Sequence, residues 1–157
     1  MLSDELQAFL VSGLGMLVGT RDSKLTPELT RGWGPSVASD RQSISICISL
    51  ASGRKTTENL QDNGQIAFSF ASPVNYKQIQ VKGSCLEITA PDEDDLAAVE
   101  RHREEFARQC ETVGTPRRFI EALFQHDVSD PPRLAKIRFT PEQMFDQTPG
   151  PGAGARL

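Results

Sequence analysis

Ser43-Ile44-Ser45-Ile46-Cys47-Ile48-Ser49-Leu50 alternates small polar and apolar residues, and it runs almost directly into Ser52-Gly53-Arg54-Lys55-Thr56-Thr57. The alternation puts Ile44, Ile46, Ile48 and Leu50 on one face, the pattern of a strand with one side in a core. Thr57-Glu58-Asn59-Leu60-Gln61 then reads as a short helix stopped by Asn63-Gly64. Two cations therefore stand where a helix begins. A helix N-terminus carries roughly +0.5 of a charge on its unpaired N–H groups, so Arg and Lys are unfavourable there without an anion. Free N–H groups, two cations and two hydroxyls together form a phosphate cradle. Two solvated basic residues that happen to open a helix are the other reading.

Upstream, Ser3 or Asp4 can cap a first helix to about Ser12, with Leu6, Phe9 and Leu10 on one face. Residues 13–20 read as a strand whose glycines admit close approach of another backbone or a ligand. After a turn at Thr26-Pro27, residues 29–38 form a second strand, made awkward by Gly32, Gly34 and Pro35. The turn Ser39-Asp40 pairs that strand with 43–50, which places Arg31 and Trp33 beside the strand that leads into the Arg54-Lys55 corner.

Downstream, residues 65–70 alternate as a strand, and Tyr76 to Ile88 forms a long one. In the long strand the apolar parity shifts across Gly83-Ser84, as a β-bulge would cause. Asp92-Glu93-Asp94-Asp95 supplies the acidic first turn of a helix to about Cys110, with Leu96, Val99, Phe106 and Cys110 on one stripe. Thr115-Pro116 starts a second helix carrying Phe119, Ile120 and Leu123. Residues 134–139 return to strand, and the Pro/Gly-rich tail 148–157 holds no regular element. With no linker or repeat, residues 1–157 form one domain: a mainly β (α+β), six-stranded antiparallel barrel with peripheral helices and a helical insertion at about 91–126.

Composition narrows the function. At 157 residues and 38% hydrophobic content the chain can bury a real core. A net charge of -4 leaves no broad basic face for sequence-independent nucleic-acid binding. No apolar run approaches the ~20 residues of a membrane span, and the first residues lack a basic signal-peptide region. Cys47, Cys85 and Cys110 are far apart with no C-x-x-C, which suggests reduced thiols in a cytoplasmic protein and no metal site. His102 and His126 sit in polar helical surroundings and are expected to be solvated, and no nucleophile–base pair is evident.

Ile48-Ser49-Leu50-Ala51-Ser52-Gly53-Arg54-Lys55, followed by Tyr76-Lys77-Gln78-Ile79-Gln80-Val81-Lys82-Gly83, resembles the FMN-binding split-barrel family of pyridoxamine 5'-phosphate oxidase. In that family a strand enters a Ser-Arg-Lys corner, and an Arg-Gln-Val-x-x-x-Gly strand follows at nearly the separation found here. The likeness spans about residues 14–90 and implies a split barrel, most simply a homodimer with flavin at the interface. It implies that Arg54 and Lys55 hold the FMN phosphate with a hydrogen bond from Ser49. Arg31 would add a phosphate or ring contact, and Gln78 would offer its amide to the polar edge of the isoalloxazine. Such a division suits a flavin, whose dianionic phosphate wants cations and whose flat ring wants apolar cover and neutral hydrogen bonds. Trp33 and Tyr76 are candidates to cover the ring, or else core residues. Gln80, on the same strand face, is expected to face solvent.

The chain departs from the authentic oxidases. It lacks their Arg-Pro-x-x-Ser-x-Gln segment and their Arg-x-His, and residues 91–130 form an acidic helical pair instead. Pyridoxal phosphate synthesis is therefore not the expectation. The tail either lies near the flavin with its N–H groups exposed or is a frayed end. The resemblance implies a flavoprotein that passes hydride or electrons between NAD(P)H or a small molecule and FMN. Its alternatives are a flavin carrier or redox sensor without turnover, an F420-using relative, and a small-barrel interaction module with no cofactor.

Overall fold

Ten elements follow one another in the computed structural model, which describes residues 2–127 and 133–157. In chain order they are α1 (Asp4–Leu10), β1 (Gly15–Arg21), β2 (Pro27–Val37), β3 (Ile44–Ser49), α2 (Arg54–Asn63), β4 (Gln65–Ala71), β5 (Gln78–Thr89), α3 (Glu93–Thr112), α4 (Arg117–Asp127) and β6 (Leu134–Asp146). The strands close into an antiparallel barrel in the order β1-β2-β3-β6-β5-β4. The six-stranded barrel read from the sequence is the one observed.

Alternation builds the barrel's interior. Met16 and Val18, Ile44, Ile46 and Ile48, Phe68 and Phe70, and Ile137 and Phe139 all point inward and are buried. Leu50, expected to join them, is 40% exposed because β3 ends at Ser49. Ser3 caps α1 by accepting the Leu6 N–H at 3.2 Å, and Phe9 reaches the barrel to meet Phe70 at 5.8 Å.

A second core lies outside the barrel. Trp33, Cys47 and Leu134 face outward from β2, β3 and β6, where Val99, Phe106, Cys110, Ile120 and Phe124 of the helical insertion cover them. Asp92 begins α3 with a capping box shared with Asp95, whose carboxylate also meets Lys136 of β6 at 2.8 Å. On α4, Ile120 and Phe124 turn inward, while Phe119 and Leu123 stay largely exposed. The insertion therefore covers one flank of the barrel and leaves the outer faces of β1, β4 and β5 open.

The awkward centre of β2 proves to be a bulge. Trp33 pairs with Cys47 and Ser36 with Ser45, so β2 carries one residue more than β3 across that step. Gly34 sits there at φ +60°, and a Cβ on it would lie 2.6 Å from the Val99 backbone nitrogen. Its N–H donates to His102 Nδ1 at 3.2 Å, and His102 Nε2 donates to the Leu14 carbonyl at 2.8 Å. His102 is thus a buried neutral clasp between α3 and the barrel, not the solvated residue its sequence surroundings suggested. The His126 side chain lies outside the described residues.

Two further bulges shape β5 and β6. Lys82 pairs with Gln143 but Gly83 with Pro141, so the extra residue belongs to β6; Cys85 pairs with Phe139 but Glu87 with Arg138, so Leu86 is the extra residue on β5. The parity shift on β5 therefore falls at Leu86, slightly beyond Gly83-Ser84, and Leu86 itself points out. β5 begins at Gln78, because Tyr76 adopts φ +60° in the preceding turn. β6 runs past Phe139 to Asp146, since Pro141 sits at a bulge that tolerates its missing N–H.

The Pro/Gly tail is ordered, not frayed. It turns through residues 149–154 and runs back along the end of β6, where Asp146 N–H donates to Ala155 O at 2.9 Å and Leu157 N–H to Met144 O at 2.9 Å. The pairing of β3 with β6 reaches only Phe139, so the tail takes up backbone groups of β6 beyond the end of that ladder.

Burial pushes His102 from its ordinary 6.5 down to about 4. The unfolded chain then binds more protons than the folded one between those values. Acidification through that window should remove up to roughly 1.4 kcal/mol of stability per pH unit. Urea unfolding at pH 7 and pH 5 checks this: His102→Gln should flatten the pH slope, and an unchanged slope would contradict the burial account. Gly34→Ala should cost at least about 2 kcal/mol in the same assay, from the positive φ and the clash with α3.

Candidate functional site

The corner after β3 is tightly made. Ser49 is buried, its Oγ accepts the Ala51 N–H at 3.1 Å, and its carbonyl accepts the Gly53 N–H at 2.7 Å. Gly53 stands at the N-cap of α2, where no side chain caps the helix. A Cβ there would meet the Ser49 carbonyl at 2.7 Å, so the tight corner requires glycine. An uncapped first turn leaves backbone N–H groups with no side-chain acceptor.

Arg54 and Lys55 flank that turn, with side chains 84% and 51% exposed. Their one ion-pair partner among the described residues is Glu58, at 3.9 Å from Arg54 and 3.5 Å from Lys55. Such long, exposed pairs contribute little. Lys55 also lines a depression of about 330 Å³ with Lys24, Asp22 and Asp62, so it leans toward acidic neighbours while Arg54 stands freer. The hydroxyls differ from expectation. Thr57 Oγ1 donates to the Arg54 carbonyl at 2.7 Å, and Thr56 is fully buried with its Oγ1 unpartnered. Neither hydroxyl joins an outward cradle. Ser52 Oγ instead reaches Thr30 Oγ1 at 3.5 Å, tying the corner to β2.

From this corner an open face runs across the barrel. Directly opposed residues in antiparallel strands share a face. Arg31 opposes Leu17, Leu17 opposes Ser69, and Ser69 opposes Gln80, which makes one outward row over four strands. Gly15, Leu17, Arg31, Ser69, Ala71 and Gln78 line a depression of about 290 Å³ on it. Small side chains on β1 and β4 create the depression, and Arg31 and Gln78 stand at its two sides. The register Gly32↔Ile48, continued by one residue, puts Arg31 opposite Ser49, next to the corner. Arg31 thus lies beside the corner and shares its depression with Gln78, while Ser49 itself is buried and Lys55 lines a separate depression.

Trp33 does not join them. It is two residues beyond Arg31, but its ring is fully buried and meets Phe124 edge-on at 5.2 Å. Its assignment to a flavin ring is corrected to the helix-covered core, because the insertion lies over that part of β2. Tyr76 is 68% exposed in the turn before Gln78. Gln80, expected to face solvent, donates from Nε2 to Ser69 Oγ at 3.4 Å on the open face.

Sequence reasoning missed the bracing of Gln78. Its N–H donates to Thr148 Oγ1 at 3.1 Å, and its carbonyl accepts the Gln147 N–H at 2.8 Å. The tail thereby fixes the start of β5, and the one sequence signal for it was a threonine just past a strand end. Burial raises Cys47 to about 12 beneath the helices, and Cys85 and Cys110 are raised by burial too. Among the described residues no group of three His, Cys, Asp or Glu side chains could hold a metal, and no helix is long and apolar enough to cross a membrane.

No family model matches the chain, and no curated protein matches it by sequence. Solved structures do match its fold. An F420 reductase is 16% identical, with 91% of this chain and 98% of that one covered at a TM-score of 0.55. A candidate pyridoxamine 5'-phosphate oxidase from Lactobacillus delbrueckii is 14% identical, over 92% and 93% at 0.54. An FMN-binding protein from Syntrophomonas wolfei is 12% identical, over 90% and 84% at 0.54. Barrel order and these likenesses agree: the chain has the split-barrel fold of the FMN-binding proteins that are like pyridoxamine 5'-phosphate oxidase.

Proposed function

We propose that this protein binds FMN along the open face of its barrel and acts as a flavin-dependent oxidoreductase. The observation that carries the reading is the shared depression of Arg31 and Gln78, which lies one strand from an uncapped helix start bearing Arg54 and Lys55. The residues fit the cofactor's two ends. Uncapped N–H groups and two weakly paired cations suit a dianionic phosphate. Arg31 and the Gln78 amide suit the polar edge of a flat ring, and Gly15, Ser69 and Ala71 leave room for it. FMN bound there would supply hydride or electron transfer. The chain's own part is to bind, orient and exclude water: Arg54 and Lys55 anchor, Gln78 orients from a braced backbone, and Ser49 holds the corner's shape. F420, the cofactor of the F420 reductase that shares this fold, is the alternative. A carrier or sensor without turnover is the alternative role.

A homodimer belongs to the same reading. Leu29 is 60% exposed and Leu17 40%, and Leu29, Pro27, Gly19 and Ala67 line an apolar depression of about 470 Å³ beside the candidate flavin face. A second copy seated there would cover this apolar surface and shield the ring from water. Sedimentation should give twice the chain mass, and Leu29→Glu should yield monomers; a monomeric wild type would overturn the dimer.

Two experiments test the cofactor and its use. Arg54→Ala and Lys55→Ala should each weaken FMN by about 1.5–3 kcal/mol, with little effect on riboflavin, because each removes a charge-assisted phosphate contact. Equal losses for both ligands would show that the corner does not hold the phosphate. Anaerobic NADPH or NADH should bleach the flavin band if the protein is a reductase, and a band that persists with both favours the carrier.

A further inference from the structure

Gln78 lines the candidate flavin depression, and among the described residues no hydrogen bond holds its side-chain amide. A long side chain without partners points where its backbone aims it. That backbone stands at a weak place in the barrel. The preceding turn holds Tyr76 at φ +60°, and the ladder between β4 and β5 ends at Ala71↔Gln78. On the other edge β6 ends at Asp146, which pairs with Ile79. Gln78 therefore begins β5 one residue past its last strand partner on that side.

Residues of the tail complete the ladder there. The Gln147 N–H donates to the Gln78 carbonyl at 2.8 Å, as a continuing strand would. The other half of the pair is made by a side chain. The Gln78 N–H donates to Thr148 Oγ1 at 3.1 Å, because the chain turns away at Pro149-Gly150 and a hydroxyl stands where a strand carbonyl would. Three features hold that hydroxyl still. The Thr148 N–H donates to Asp146 Oδ1 at 2.8 Å. Pro149 restricts the residue before it to extended backbone, and β-branching restricts its χ1. The Asp146 carboxyl is held below the usual carboxylate range, chiefly by hydrogen bonds from Thr148, so it stays an acceptor at neutral pH.

We propose that Thr148, oriented by Asp146, is a positioning residue for the flavin: its hydroxyl fixes the start of β5 and thereby the aim of the Gln78 amide at the ring. The proposal rests on the flavin reading and adds to it a residue that acts only through Gln78. It assigns Thr148 to the ring end of the site, as Arg54 and Lys55 are assigned to the phosphate end. FMN and riboflavin share that ring, so a loss at Thr148 falls on both ligands alike. The hydroxyl is the group that matters: serine keeps it, and valine, of nearly the same shape as threonine, does not.

Thr148→Val, Thr148→Ser and Gln78→Leu test it in the full chain. Without flavin, Thr148→Val should speed hydrogen exchange at the Gln78 backbone N–H by about tenfold or more, and Thr148→Ser should stay within about threefold of wild type. In flavin titrations, Thr148→Val should weaken FMN and riboflavin equally, by about three- to tenfold. It should also shift the bound-flavin absorption band in the same direction as Gln78→Leu. Thr148→Ser should restore both affinity and band. Thr148→Val combined with Gln78→Leu should bind flavin as Gln78→Leu does alone, since the brace acts only through that amide. Additive losses, unchanged exchange at Gln78, or a serine variant as weak as the valine one would overturn the positioning role and leave the flavin site standing. Wild-type protein that binds neither ligand would overturn the flavin reading and this role with it.

Discussion

Strand β6 is the constraint on which the rest depends, because it joins β3 to β5 across the helical insertion and so completes the barrel. One edge of its first half pairs with β3 from Ile44↔Phe139 to Ser49↔Leu134, and its other edge pairs with β5 from Ile79↔Asp146 to Thr89↔Lys136. The two ends of the candidate site hang from those two ladders. β3 delivers the Ser49–Arg54 corner, and β5 delivers Gln78. The helical insertion separates β5 from β6 in sequence, so every one of these pairings closes a long loop, whose entropy the buried Ile137 and Phe139 must offset.

The insertion also decides which barrel face is free. By covering Trp33, Cys47 and Leu134 it turns one flank into core, fastened by the His102 clasp and the Lys136–Asp95 pair. The opposite flank, over β1, β4 and β5, carries glycine, alanine and serine outward. Small residues there leave a surface into which a flat ligand can settle. Arg31 and Trp33 stand on the same outer face of β2, and only Trp33 is buried because the helices cover that end of the strand.

Much of this fold was legible because alternation is a local signal. The Ile44–Ile48 run, the 65–70 strand and the parity shift in β5 each reported a strand with one buried face. What stayed hidden depended on contacts between distant segments. His102 looked solvated because its helical neighbours are charged, yet the partners that bury it, Leu14 and Gly34, lie far away in sequence. Trp33 looked available beside Arg31 until the insertion was packed over it. β6 looked finished at Phe139 because Pro141 resembles a stop, and only the bulge opposite Gly83 shows why it is not. Of the site, the corner was readable from a glycine and two cations in sequence. The outward row and the bracing of Gln78 required the register of five strands and the tail.

The central claim is that FMN lies across this open face with its phosphate at the start of α2. A crystal structure grown with FMN tests it most directly. The account expects phosphate density beside the Arg54 and Lys55 side chains and the first-turn N–H groups, with the ring against Arg31 and Gln78. A flavin bound with its phosphate elsewhere, or no flavin at saturating concentration, would contradict it.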